Sequence, residues 1–406
     1  MKKYNVLALA LATTLTLGAC GNQNEPAETT EENTTNQTET VEETTPEVEN
    51  EAETTEEVVE EETANKKEED EESEAPNEDQ AVEEETEETE ETSTNETSES
   101  NVVLHRAYPD DSSRSFATVV VATSGDKIVD AVLDEYQFFG DDEGFEGVPN
   151  SDKGFGEGAK EGRILASKIQ NKQPYSEAML NAGGEVTLMD NYNAVTDFVK
   201  GKTIAELETF LDENDDEAII DALSGATFKA TPNLLRFVVE AAKSEDFTSL
   251  GNAENPDDVK LQYAIGAPHG ERSFGNAVVA VEGDKIIAAS IDEYQYLDAA
   301  KGVPSSDADF GKDYADSNIV LASKLENDDI YSELMTEKAE STISLKDNYT
   351  AIENFAVGKT IDELKEVIAS ATPGEAIDAV TGATLVDTAG YLQLIVDAAE
   401  KDIRAE

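Results

Sequence analysis

Two stretches, RSFATVVVATSGDKIVDAVLDEYQ at Arg114–Gln137 and RSFGNAVVAVEGDKIIAASIDEYQ at Arg272–Gln295, read as one β-hairpin written twice. In the first, the β-branched run Phe116 to Ala122 leads into the turn Ser124-Gly125-Asp126-Lys127 and out through Ile128 to Leu133. Two apolar runs joined by a short glycine-containing turn are the signature of antiparallel strands. The second copy repeats the pattern from Ala277 to Ile291.

The duplication extends outward from the hairpin. GVP at Gly147 recurs at Gly302, LASK at Leu165 at Leu321, YSE at Tyr175 at Tyr331, DNY at Asp190 at Asp347, and GKTI at Gly201 at Gly358. The spacing stays near 157 residues, with a short insertion around 140–146. A period of that size is a whole domain rather than one supersecondary unit, which excludes a solenoid. Two tandem repeated domains are therefore expected, at 101–245 and 259–406, joined by a linker at 246–258 that contains Asn255-Pro256.

Within the first copy, 157–170 carries a helical pattern, Glu185 to Met189 a strand pattern, and Ile204 to Leu211 a short helix with Thr203 as its N-cap. The copy closes with a helix over Pro232 to Lys243, where Thr231 is positioned to cap and Pro232 suits the first turn. Leu234, Leu235, Val238, Val239 and Ala242 form its apolar stripe. Strands first and helices later indicate an α+β fold, with helix against sheet forming each core.

The N-terminal quarter has a different character. The 406-residue chain carries a formal charge of −63, and residues 21–100 hold 33 acidic residues against Lys66 and Lys67, with no aromatic side chain. Such a segment has no apolar surface to offset chain entropy, so 20–100 reads as a disordered Glu/Thr-rich tether. Ahead of it, Lys2 and Lys3 precede an apolar run from Val6 to Leu17, followed by Gly18-Ala19-Cys20. That is a signal peptide at 1–19 with a lipobox, and the run is short for a spanning helix. Cys20 is the only cysteine, which rules out disulfides, CxxC redox pairs and cysteine-ligated metal clusters within the chain. A lipidated Cys20 would hold the chain at the extracellular face of the cell membrane.

The candidate site is the pair DALSGATFKAT, Asp221–Thr231, and DAVTGATLVDT, Asp378–Thr388. Each sets Asp, two small or apolar residues, Ser or Thr, Gly, Ala and Thr just before a helical pattern. Thr227 and Thr384 are thereby expected in a tight turn with an exposed hydroxyl. Gly225 and Gly382 allow close backbone approach, and free amides at a helix N-terminus favour a phosphate. An ordinary turn plus cap accounts for one such motif taken alone.

At Asp221, Ser224, Gly225, Ala226 and Thr227, and again at Asp378, Thr381, Gly382, Ala383 and Thr384, the chain resembles the FMN-binding domains whose Asp-x-x-Ser/Thr-Gly-Ala-Thr motif receives flavin covalently. Such domains occur in subunits of sodium-pumping and Rnf-type quinone reductases. Leader, tether and paired domains together are similar to the pheromone-encoding lipoproteins of flavin-based extracellular electron transfer. The resemblance implies two FMN groups, esterified through phosphate to Thr227 and Thr384 by a magnesium-dependent flavin transferase that uses FAD. It implies electrons arriving from a membrane dehydrogenase or quinol donor and leaving to extracellular acceptors such as ferric iron, and a signal peptide that yields short pheromones. The flavin would carry the redox chemistry, so no catalytic triad is needed.

Other residues read more plainly. Tyr136, Tyr294, Phe138 and Tyr296 suit a core better than a flavin lining. Lys202, Lys359, Asn191 and Asn348 suit phosphate or ring contacts, or equally caps and turns. GKT follows no GxxxxG loop, which argues against nucleotide binding. His105 and His269 lie at non-equivalent positions, and no metal site is expected. Asp141, Asp142 and Glu143 read as a solvated face. Outside leader and tether the chain is 34 net negative, which disfavours nucleic acid. The competing reading is a non-redox solute-binding or spacer lipoprotein whose repeats are duplicated scaffold.

Overall fold

The computed structural model describes residues 100–110 and 113–404. The leader, Cys20 and the tether lie outside them. The described residues fall in one compact unit.

The first copy builds a sheet from β1 (Val102–Ala107), β2 (Ser115–Ser124), β3 (Lys127–Gly140), β4 (Arg163–Ser167) and β5 (Phe247–Gly251). The order is β4-β3-β2-β1-β5, antiparallel throughout. Its helices are α1 (Lys172–Asn181), α2 (Leu188–Val199), α3 (Ile204–Glu213), α4 (Asp216–Ala222) and α5 (Thr231–Lys243). The second copy follows with β6 (Lys260–Gly266), β7 (Ser273–Glu282), β8 (Lys285–Asp298) and β9 (Ile319–Ser323) in the order β6-β7-β8-β9. Its helices are α6 (Asp328–Ala339), α7 (Leu345–Ala356), α8 (Ile361–Ser370) and α9 (Thr388–Glu400). The α+β class is thus observed.

The quoted hairpins are β2–β3 and β7–β8. Each carries a register shift at the same place, between Ala122 and Thr123 and between Ala280 and Val281, beside turns in which Gly125 and Gly283 take φ of 61° and 66°. GKTI recurs because it docks on the start of β3 and β8. The Ile128 amide donates to Lys202 O at 2.9 Å, the Gly201 amide to Ile128 O at 2.8 Å, and Ile286, Lys359 and Gly358 repeat the pair at 2.9 and 2.8 Å. DEYQ and LASK recur because they form a buried ion pair. Lys168 Nζ lies 2.7 Å from Glu135 Oε1, and Lys324 Nζ 2.6 Å from Glu293 Oε2. Burial alone would push the Glu293 carboxyl up, but Lys324, His269 and the Ser273 hydrogen bond together hold it below the usual range.

Every residue of β2 and β7 but the last is buried, although each sheet has helices on only one side. The two sheets supply the difference by packing face to face. Phe116, Tyr136, Phe138 and Phe155 interdigitate there with Phe274, Tyr294, Phe310 and Tyr314. Phe274 stacks on Tyr294 at 5.1 Å, Phe116 on Tyr136 at 4.8 Å, and Phe116 meets Phe310 edge-on at 5.4 Å. Pairs of this kind add about 0.5–1.5 kcal/mol each beyond apolar burial. The helices line the outer faces, α5 on β1, β2 and β3 and α9 on β6, β7 and β8. The result is a four-layer helix–sheet–sheet–helix stack, and Tyr136 and Tyr294 sit in its middle, as core.

Several local expectations are corrected. The helical pattern at 157–170 is a 3-10 turn, Gly156–Gly158, followed by β4. The apolar run Ile164 to Ala166 pairs with the end of β3 instead of coiling. The strand pattern at 185–189 is the start of α2, where Thr187 and Asp190 exchange hydrogen bonds with each other's backbone amides in a capping box. Thr203 caps α3 as expected, again in a capping box, with Glu206. Thr231 does not cap α5: it is the helix's first residue, and its buried hydroxyl has no partner. The segment 246–258 contains β5, whose pairing with β1 makes it part of the first sheet.

Candidate functional site

The two motif loops occupy equivalent places on the outer helical layers, each just ahead of the last helix of its copy. In the first, the Ala226 amide donates to Leu223 O at 3.0 Å and closes a four-residue turn; in the second, Ala383 donates to Val380 O at 3.1 Å. Gly225 and Gly382 stand third in these turns with φ of 93° and 97°, a conformation that side chains strain to adopt. Thr227 and Thr384 come directly after the turn, and both are exposed. Phe228 and Leu385, the next residues, tuck against the cores of their copies and pin the far end of the loop.

Asn191 and Asn348, from the DNY repeats on α2 and α7, are fully buried beneath the loops. Asn191 Oδ1 accepts the amides of Thr227 and Phe228, both at 2.9 Å, while its Nδ2 donates to Thr187 O at 2.8 Å. Asn348 Oδ1 accepts the Thr384 amide at 2.7 Å and lies 3.4 Å from the Thr384 hydroxyl, while its Nδ2 donates to Ser344 O at 2.8 Å. The amides read as free for a phosphate are therefore engaged at Ala226, Thr227 and Phe228. The helix N-termini also stand off: α5 begins at Thr231 and α9 at Thr388.

Beside the second loop an open groove of about 590 Å³ runs along α7, lined by Thr381, Gly382, Ala351, Asn354, Phe355 and Lys359. Lys359 Nζ lies 3.9 Å over the Phe355 ring and donates to Phe355 O at 2.6 Å, so it caps α7 while edging the groove. Lys202 repeats this on Phe198, with Nζ 4.1 Å over the ring and a hydrogen bond to Phe198 O. The groove thus offers an ammonium stacked on a ring, with small residues of the loop turn; Thr384 is next to that turn but is not part of the lining. The aromatic partner was missed from sequence, yet Asn191, Phe198 and Lys202 are spaced by seven and four residues, as are Asn348, Phe355 and Lys359. Asn191 and Phe198 lie on α2 and Asn348 and Phe355 on α7, while Lys202 and Lys359 fall three residues past the helix ends and fold back onto the rings.

The remaining candidates are spread out. Asp221 lies exposed on α4 and Asp378 exposed in a turn; neither is hydrogen-bonded to its threonine. Ser224 is exposed, like Thr381, while Ala226 and Ala383 pack under the loops. His105 bonds Ser244 O at 2.8 Å and Thr123 Oγ1 at 3.0 Å, and His269 bonds Asp387 at 2.6 Å. Asp141, Asp142 and Glu143 are exposed, and Glu143 accepts the Gly140 amide at 2.8 Å. Among the described residues no group of three or more His, Cys, Asp or Glu is placed to hold a metal ion, and no helix is long and apolar enough to cross a membrane.

The strongly shifted acids lie elsewhere, in the seam between copies. Burial pushes the Asp134 carboxyl up to about 6 and Glu353 up to about 8. Asp134 accepts Ser167 Oγ at 2.5 Å, the Ile169 amide at 3.0 Å and Tyr263 OH at 2.7 Å, and Glu353 accepts the Ile291 amide at 2.8 Å. Both are enclosed and structural. No known protein family, curated protein or solved structure matches the chain.

Proposed function

We propose that this chain is a lipid-anchored extracellular flavoprotein that carries FMN esterified to Thr227 and Thr384. A flavin transferase installs both groups, Cys20 holds the chain at the membrane, and electrons pass from a membrane dehydrogenase or quinol donor to extracellular acceptors such as ferric iron. The observation that carries this reading is the paired presentation of two exposed threonine hydroxyls, 157 residues apart in sequence, on matching loops braced from below.

The residues fit such a group. The hydroxyls are open to solvent, the turn glycines leave the approach clear, and the groove beside Thr381 has the volume of a small-molecule site. Bound flavin supplies one- and two-electron chemistry. The protein's part is to present the attachment point, offer Phe355 and Lys359 beside it, and keep the cofactor attached outside the cell.

Expression of the full chain with a flavin transferase and FAD should give a yellow protein heavier by two FMN. Thr227→Ala and Thr384→Ala should each remove one FMN, and the double variant should be colourless. A colourless wild type of unmodified mass supports the spacer or solute-binding reading instead.

A further inference from the structure

We infer that Asn191 and Asn348 are positioning residues for flavin transfer, each presetting the acceptor loop of its own copy; this rests on the flavin reading above. Every loop that must enter a second enzyme's active site pays an ordering cost when it is floppy, and a loop already held in shape does not. The two loops are held by one side chain each. Asn191 is buried, and its carboxamide spends both ends on backbone, Oδ1 on the Thr227 and Phe228 amides and Nδ2 on Thr187 O at the start of α2. Asn348 accepts the Thr384 amide and, at 3.4 Å, the Thr384 hydroxyl, and donates to Ser344 O.

The brace grips the acceptor residue by its backbone; in the first copy Asn191 makes no bond to the hydroxyl, and in the second Asn348 Oδ1 also accepts the Thr384 hydroxyl at 3.4 Å. Cutting the brace orphans the amides on either side of the reacting group, while the hairpins, ion pairs and sheet seam that hold the fold lie elsewhere. The reaction being served is displacement at phosphorus. Threonine Oγ forms a bond to the FMN phosphorus of FAD, the pyrophosphate P–O bond breaks, AMP leaves, and the hydroxyl proton passes to a base of the transferase. The asparagine touches none of these atoms in the first copy, so its effect is exerted through the backbone.

The test uses the full chain with purified flavin transferase, magnesium and FAD, following FMN incorporation at each threonine by peptide mass. Asn191→Ala should slow labelling of Thr227 by about tenfold or more, the size expected when a buried acceptor of two amides is lost. Labelling of Thr384 in the same molecules should be unchanged, which reports an intact fold. Asn191→Asp, which keeps an acceptor oxygen but loses the donor to Thr187 O, should be slowed less than Asn191→Ala. In unmodified protein, hydrogen exchange at the Thr227 and Phe228 amides should quicken in Asn191→Ala. Asn348→Ala should likewise slow labelling of Thr384 and leave Thr227 unchanged, with faster hydrogen exchange at the Thr384 amide alone. Unchanged labelling of Thr227 in Asn191→Ala overturns the inference, and so does equal slowing at both threonines. A wild-type chain that takes up no FMN removes the flavin reading, and the inference with it.

Discussion

Arg106 and Tyr263 occupy the same place in the two copies: Arg106 pairs with Val120 on β2, and Tyr263 with Val278 on β7, the equivalent of Val120. Both reach across the seam into the opposite copy, but with different chemistry. Arg106, fully buried, donates to Ser290 Oγ and Ser290 O at 2.8 Å and to Asn276 Oδ1 at 2.7 Å. Tyr263 shares a hydrogen bond with Tyr136 OH at 2.6 Å and donates to Asp134 at 2.7 Å. The partners of Arg106 have diverged to match, with Asn276 and Ser290 standing where the first copy has Thr118 and Val132, whereas Asp134 and Tyr136, the partners of Tyr263, recur unchanged as Asp292 and Tyr294. The motif loops, by contrast, keep the same turn, the same glycine conformation and the same asparagine brace. The aromatic centre of the seam is repeated in both copies, so the divergence is confined to the polar pairs that Arg106 makes across it.

That contrast can be broken at graded cost. The largest effect belongs to Arg106→Ala, which strips three hydrogen bonds from buried partners and should destabilise the protein by about 3–5 kcal/mol. Tyr263→Phe removes one hydroxyl and leaves Asp134 its other donors, so about 1 kcal/mol is expected. Urea melts of the two variants decide the matter, and equal shifts would show that the seam is not asymmetric in energy.

Next comes Glu353, where the first copy has Thr196. Its carboxyl is held near 8 by burial, against 4.5 for an ordinary glutamate. Between those values the folded chain keeps a proton that the unfolded chain has released. The stability contributed by protonated Glu353 is therefore complete below pH 4.5 and is lost as pH rises toward 8. Glu353→Gln keeps the acceptor for the Ile291 amide and should flatten that decline by on the order of a few kcal/mol across the window. Parallel pH–stability profiles for variant and wild type would rule the effect out.

A change as small as that from Tyr263→Phe is expected at Tyr391, which donates to Glu293 at 2.8 Å where the first copy has Leu234. Tyr391→Leu should cost on the order of 1 kcal/mol, because Lys324 and Ser273 still hold Glu293. A loss as large as that from Arg106→Ala would place the second copy's ion pair, not the seam, at the centre of stability.

The hairpins, the Thr203 cap, the final helices and the motif loops were legible because each rests on neighbours in sequence: alternating apolar runs, turn glycines, a capping threonine. What failed depended on distant partners. The run at 164–166 suits a helix or a strand equally, and only the free edge of β3 makes it β4. β5 looked like a linker because its five residues become a strand only against β1. At 185–189, Thr187 and Asp190 already carried a helix-start signal three residues apart, which the strand pattern obscured. In the site, Thr227 and Thr384 are exposed as expected but follow the tight turn instead of lying in it, and the asparagines grip backbone, a role invisible until the loop folds back over α2 and α7.

The two loops ride on opposite outer layers, with both sheets between them. The duplicated loops are thus presented to separate regions of solvent, and covering one would leave the other open.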